Sequence, residues 1–136
     1  MADVNLVAVL IAAVVSFFIG MLWYSPLLFS KAWMKSMGIT EKDMKKKKPG
    51  NMVKVLGLMF VSTLIMAYVL EMLIGSLGIT TAIAGMQIAF WIWLGFMATI
   101  NFGAVLFESR SKEWFFITAG YQLVYMLVMG AILAVL

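Results

Sequence analysis

Hydroxyl and amide side chains gather at one level of the apolar sequence and are the first candidates for chemistry. Tyr24 and Ser25 end the first apolar segment. Asn101 lies about 9 Å before the end of the third segment at ~1.5 Å per residue, and Tyr121 lies early in the fourth. Such groups hydrogen-bond between membrane helices for about 0.6 kcal/mol on average and up to ~2. We predict an inner polar cluster, either a structural clamp or a polar vestibule for an ion, a headgroup or a small ligand.

A second candidate lies toward the opposite end of the apolar segments. Glu71 is the only acidic residue well inside such a segment, and Gln87 has a comparable depth in the next one. A carboxyl group inside a membrane can shuttle protons or bind a cation. It can also reach the outer headgroups or hydrogen-bond to Gln87, and the sequence leaves these alternatives open.

The amino-acid composition excludes several other kinds of reactive site. The chain has no Cys and no His, which excludes thiolate and imidazole ligands and the nucleophiles that depend on them. An enzyme needs acid, base or nucleophilic groups that converge on one place. We therefore predict no metal site, no cofactor and no enzymatic activity.

The elements that carry these side chains follow from composition. Of 136 residues, 65% are hydrophobic and 12% charged, and the mean hydropathy is +1.07. A soluble domain has about 45–50% apolar and about 25% charged residues, and one bilayer crossing takes roughly 20 residues. We predict an all-α membrane protein: a single domain over residues 1–136, with four transmembrane helices at about 4–25, 52–77, 81–107 and 114–136.

Small residues recur every fourth position along the first predicted helix. The stripe consists of Ala8, Ala12, Ser16 and Gly20. Small side chains let two membrane helices approach closely. We therefore predict a helix-packing groove, whose partner lies either within the chain or in another subunit.

Tryptophans are predicted to have two roles. Trp23, Trp33 and Trp114 lie beside predicted helix ends and are assigned as interface anchors, because membrane tryptophans collect at headgroup level. Trp91 and Trp93 lie near the middle of the third helix and are assigned to core packing, with a hydrophobic-ligand or lipid-tail pocket as the alternative. Each indole N–H there needs a hydrogen-bond acceptor.

The basic residues predict the orientation of the chain. All ten Lys and Arg residues lie in or beside the first and third loops. The positive-inside rule puts both loops in the cytoplasm and both termini outside, in a multi-pass protein of the cell membrane. Within the loop at 29–52, Thr40 followed by Asp43 predicts a helix start. Lys45, Lys46, Lys47 and Lys48 are assigned to lipid headgroups.

The end of the first helix also carries a sequence motif. Gly20-x-x-Trp23-Tyr24-Ser25-Pro26, with Phe29 and Trp33 after it, resembles the signature of an uncharacterised family of small four-helix integral membrane proteins, a domain of unknown function. Asn101 and Tyr121 fit the same resemblance. It implies a fold and a membrane location, and it supplies no reaction or ligand.

Together these features predict a non-enzymatic, oligomeric binding or scaffolding module in the membrane. The alternative is a small oligomeric channel or transporter for an ion or small solute, with a polar path involving Glu71 or Asn101. The expected partners are the lipid bilayer, anionic lipids among it, and further copies of the chain. A nucleic-acid partner is not expected, since no recognised module accompanies the lysines.

Overall fold

A computed structural model describes residues 4–40, 42–43 and 49–136, and every regular element in these residues is helical. The helices are α1 (Leu6–Trp23), α2 (Ser30–Met37), α3 (Pro49–Ser76), α4 (Ala82–Phe107) and α5 (Lys112–Val135). All but α2 are long and apolar enough to cross a membrane. The predicted all-helical chain with four helices of membrane-spanning length is thereby confirmed. The headgroup assignment of Lys45, Lys46, Lys47 and Lys48 lies outside the described residues.

Helix α1 begins and ends two residues inside the predicted range. The side chain of Asn5 accepts a hydrogen bond from the Ala8 amide at 3.1 Å, which caps the first turn. At the other end Pro26 disfavours helical backbone at Ser25, so the helix stops at Trp23. The Phe29 amide then donates to the Trp23 carbonyl at 3.0 Å, and this turn leads directly into α2.

Two helices end on glycines with left-handed backbone. Gly38 follows α2 at φ 70°, and Gly78 follows α3 at φ 68°. In each case the next amide reaches back five residues, from Ile39 to Met34 and from Ile79 to Ile74. This Schellman arrangement pairs carbonyls that the helix end leaves free. The two glycines therefore set sharp ends to α2 and α3.

Capping and proline geometry shape the starts of α3, of α5 and of a further helical segment at residues 42–43. Thr40 and Asp43 exchange hydrogen bonds at 3.0 and 3.2 Å, as predicted for a helix start, and the bond from the Thr40 amide lowers the pKa of Asp43. Helix α3 begins at Pro49, earlier than predicted, because the fixed φ of proline suits the first helical turn. Ser111 caps α5 by accepting from the Trp114 amide at 3.1 Å.

Helix α5 is the centre of the bundle and contacts every other helix. Its most extensive contact is with α4, whereas α4 barely touches α3, its neighbour in sequence. Helix α1 packs between α3 and α5. The Asn5 amide group donates to the Leu136 carbonyl at 3.1 Å, which brings the first and last helices together at their free ends.

The contact between α4 and α5 depends on small residues in both helices. A Cβ added to Gly85 would collide with the Gly130 carbonyl and lie 2.7 Å from the Ala134 Cβ. A Cβ on Gly130 would lie 2.8 Å from that of Ala89. Both helices contain the sequence pattern Gly-x-x-x-Ala, which is typical of close crossings between membrane helices.

The small-residue stripe of α1 is also used inside the chain. Ala8 and Ala12 are 0% exposed and Ser16 is 1% exposed. A Cβ on Gly20 would lie 2.6 Å from the Tyr121 hydroxyl oxygen, so α5 fills the groove at that level. The sequence also allowed a partner in another subunit for this stripe. Because the stripe is buried within the chain, it is not available as a contact surface for another subunit.

A π-helical segment, Trp93–Ala98, interrupts α4. At about 100° per residue of an α-helix, Asn101 would lie roughly 160° around α4 from Gly85. Hydrogen bonds in a π turn span one residue more than those in an α-helix, so the π-helical segment accommodates one extra residue. That extra residue takes up about 100° of the rotation and brings Asn101 back toward the side of Gly85. Gly85, Ala89, Ala98 and Asn101 are consequently all buried, on the side of α4 that packs on α5.

Candidate functional site

Two members of the predicted inner polar cluster meet in the structure. The rings of Tyr24 and Tyr121 pack edge to face with centroids 5.2 Å apart, and Tyr121 packs on Tyr125 at 4.8 Å. Gly20 makes room for the Tyr121 hydroxyl. The Tyr121 and Tyr125 hydroxyls form no hydrogen bond within the described chain. The three tyrosines therefore form a packed row in which Tyr121 and Tyr125 keep free hydrogen-bonding capacity.

The other two members of that cluster bond elsewhere. Asn101 is 8% exposed, and its side-chain amide donates to Oε1 of Gln122 on α5. The Ser25 hydroxyl donates to the Leu22 carbonyl at 2.6 Å, within its own turn. No hydrogen bond joins either residue to Tyr24 or Tyr121 in the described residues. Asn101 thus clamps α4 to α5, and Ser25 shapes the end of α1.

The tryptophans assigned as interface anchors have definite packing partners. The Trp23 indole donates to the Ile117 carbonyl at 3.0 Å and lies over Gly120. Trp33 packs edge to face on Tyr24 with centroids 5.9 Å apart. The Arg110 guanidinium lies 5.6 Å from the ring centroid of Trp114. The Trp23 bond thus fixes the end of α1 to α5, and the Trp33 contact packs α2 against the end of α1.

Trp93 and Trp91 differ from each other. The Trp93 indole donates to the Ala119 carbonyl at 2.9 Å, in agreement with the predicted core packing. Trp91 is 63% exposed on the bundle surface, so its core assignment is wrong. The reason is local, because side chains two positions apart on a helix point in different directions.

The predicted outer polar pair does not form a hydrogen bond. Glu71 is 8% exposed, and its Oε2 has no hydrogen-bond partner in the described chain. It lies among the core positions of α3, between Leu70 and Ile74. Gln87 is exposed on the surface of α4. The two groups share a depth in the sequence but face different surroundings.

One cavity of the bundle is a cleft between α1, α3 and α5, with a volume of about 410 Å³. It opens to the bundle surface beside Val55, Leu58 and Met59, which are exposed on α3. Polar groups from all three helices line it. The lining residues are Ser16 from α1, Val55, Leu58, Met59, Ser62, Thr63 and Met66 from α3, and Tyr121, Gln122 and Tyr125 from α5.

The polar groups of the cleft lie near the middle of the helices that carry them. Ser16, Ser62 and Gln122 are each far from both ends of their helix. The buried Ser16 hydroxyl has no hydrogen-bond partner in the described chain. Gln122 accepts from Asn101 through Oε1, so its amide N–H groups remain free to donate. The cleft therefore offers several neutral donors and no charged side chain.

The sequence did not predict that α1, α3 and α5 together line one cleft. Ser62, Thr63, Gln122 and Tyr125 were visible as polar residues in apolar segments but were assigned to no cluster. Their central depth was the available signal, because groups at equal depth on neighbouring helices can meet. Which helices are neighbours cannot be read from depth.

The chain is similar to a known protein family over most of its length. Neither a curated protein nor a solved structure matches the chain. Residues 7–134, which include all but the terminal residues Leu6 and Val135 of the four transmembrane-length helices and all residues of the cleft, match a family described as "Protein of unknown function (DUF1761)". The chain belongs to the DUF1761 family.

Proposed function

We propose that this protein is a non-enzymatic binding module of the cell membrane and that its ligand occupies the cleft between α1, α3 and α5. The observation that carries the proposal is the set of free hydrogen-bonding groups in the middle of the bundle. A buried polar group without a partner costs about 1–3 kcal/mol. A ligand that hydrogen-bonds to Ser16, Gln122 or Tyr125 would offset such costs.

Other polar groups of the bundle show what a purely structural role looks like. Asn101 is paired with Gln122, and the indoles of Trp23 and Trp93 are paired with backbone carbonyls. Each of these hydrogen bonds ties one helix to another. Ser16, Tyr121 and Tyr125 differ, because these residues line the cleft and their hydroxyls form no hydrogen bond within the described chain.

The alternative of a channel receives less support. A polar path would have to connect Glu71 with the cleft or with Asn101. Glu71 lies about 12 Å beyond Thr63 along α3, at ~1.5 Å per residue. The buried residues between them on that helix are Ala67 and Leu70, which are apolar. A binding cleft uses the observed groups without requiring this path.

The test is to block the cleft and measure what co-purifies with the protein. Ser62→Phe adds a ring to an exposed position of α3 that lines the cleft, so packing between helices is left intact. Val61→Phe adds the same ring one position earlier, at a residue that is 51% exposed and outside the cleft. Small molecules extracted from each purified protein are compared with the bulk membrane by mass spectrometry.

We expect one compound to be enriched over the bulk membrane in the wild type and in Val61→Phe, at about one molecule per chain. Ser62→Phe should lose that enrichment while keeping the wild-type thermal unfolding midpoint. If nothing is enriched in the wild type, or if Ser62→Phe retains the compound, the binding role of the cleft is wrong.

A further inference from the structure

The charge of the lining restricts what the cleft can hold. Ser, Thr, Tyr and Gln supply all of its polar side chains, and Asp, Glu, Lys and Arg supply none. An ion that leaves water for such a place loses several kcal/mol of hydration without gaining a counter-charge. An occupant of this cleft is therefore uncharged.

The depth of the lining sets a second restriction. Ser16, Ser62 and Gln122 lie near the centres of helices that are long enough to cross a bilayer. The hydrocarbon core is about 30 Å thick, so these groups lie roughly 15 Å from either headgroup layer. A phospholipid would have to pull its headgroup to the bilayer centre to reach them. A molecule that is dissolved in the hydrocarbon reaches them without that cost.

The hydrogen-bonding groups indicate what the occupant presents. The free capacity at the cleft consists of hydroxyl groups and the Gln122 amide N–H groups, and all of these can donate. Thr63 is already engaged, since its hydroxyl donates to the Met59 carbonyl at 2.9 Å. The rings of Tyr121 and Tyr125 add faces and edges against which a planar group can pack. These groups suit a compact ring that carries hydrogen-bond-accepting oxygens.

From charge, depth and donors, we infer that the ligand class is an uncharged, lipid-soluble carbonyl compound of the quinone type, which enters from the lipid beside Val55 and Leu58. This inference rests on the proposed binding function. It names only an occupant and its class, and no electron transfer is part of it.

The test is binding by native mass spectrometry of the full chain in detergent, with three ten-carbon-chain probes. Decylubiquinone is uncharged and has ring carbonyls, decylbenzene is uncharged and has none, and decanoate is charged. We expect one decylubiquinone per chain and at least about tenfold weaker binding of the other two, since one net hydrogen bond of ~1.4 kcal/mol is a factor of ten. Ser62→Phe should abolish decylubiquinone binding, and Val61→Phe should not change it.

A second variant probes the donor itself. Tyr125→Phe keeps the ring and removes the hydroxyl, and we expect it to weaken decylubiquinone binding about 3- to 10-fold, the range of one neutral hydrogen bond. Equal or better binding of decanoate would overturn the uncharged class, and equal binding of decylbenzene would overturn the carbonyl class. If no probe binds while the wild type still retains a compound that Ser62→Phe loses, the ligand class is wrong and the binding function stands. If that compound is missing too, both are wrong.

Discussion

At the level of single residues, glycines differ by what lies beside them. Gly85 faces the Gly130 backbone carbonyl, which moves only if a whole helix moves. Gly20 faces the hydroxyl end of the Tyr121 side chain, which can rotate away. At Gly57 and Gly103 an added Cβ would meet no atom within 4 Å beyond the local backbone of its own helix. The same methyl group should therefore have three different effects.

We predict that Gly85→Ala lowers the free energy of unfolding by about 1–3 kcal/mol, the usual cost of overpacking. Gly20→Ala should cost less, because Tyr121 can yield. Gly57→Ala and Gly103→Ala serve as controls and should be neutral or stabilising by up to about 1 kcal/mol, since alanine favours helix more than glycine does. Thermal unfolding in detergent measures all four variants. Equal midpoints for Gly85→Ala and Gly103→Ala would contradict the close crossing of α4 and α5.

At the level of helices, the π-helical segment of α4 decides where Asn101 points. The face of α4 that contains Gly85 and Ala89 packs on α5, and Asn101 joins it only because one extra residue is accommodated in Trp93–Ala98. Gly95 lies in this segment, is exposed and has open space around it. A residue can therefore be deleted or inserted at Gly95, which changes the register of α4, without creating a steric clash.

Deleting Gly95 should convert the π turn into ordinary α-helix and leave the Asn101–Gln122 pair in place. Inserting one alanine after Gly95 should instead rotate Asn101 by about 100° and separate the pair. The chain has no native cysteine, so Asn101→Cys with Gln122→Cys reports the distance without background. Oxidation should form the disulfide in the parent and the deletion variant, as shown by protection from a maleimide reagent. Equal disulfide formation in the insertion variant would contradict the register argument.

At the level of the whole molecule, orientation in the membrane remains a prediction from charge. Thr80 lies in the turn before α4 and Glu108 in the turn after it, so they are at opposite ends of one helix. We expect a membrane-impermeant maleimide to label a Thr80→Cys variant in intact cells. A Glu108→Cys variant should be labelled only after permeabilisation, because its loop contains Arg110 and is expected in the cytoplasm. The reverse pattern would show that both termini are inside.

The whole molecule also shows which parts of the fold follow from sequence. Apolar length and capping residues predict the helices to within a few positions, because these effects are local. The pairing of Asn101 with Gln122 could not be predicted, since a π turn leaves no periodic mark in an apolar segment. The cleft could not be predicted either, because its walls depend on α5 contacting all the other helices. A homo-oligomer is still expected, but it needs a surface other than the buried stripe of α1.

The near absence of contact between α3 and α4 has a consequence for biosynthesis. Helix α4 leaves the ribosome before α5, and α5 is the helix on which it packs. Until α5 is inserted, the small residues Gly85 and Ala89 can face only acyl chains or the translocation machinery. Helices α1 and α3 contact each other and can associate earlier. Assembly should therefore proceed in two stages, and a pause in translation before α5 would leave α4 as the one membrane helix without a tertiary partner.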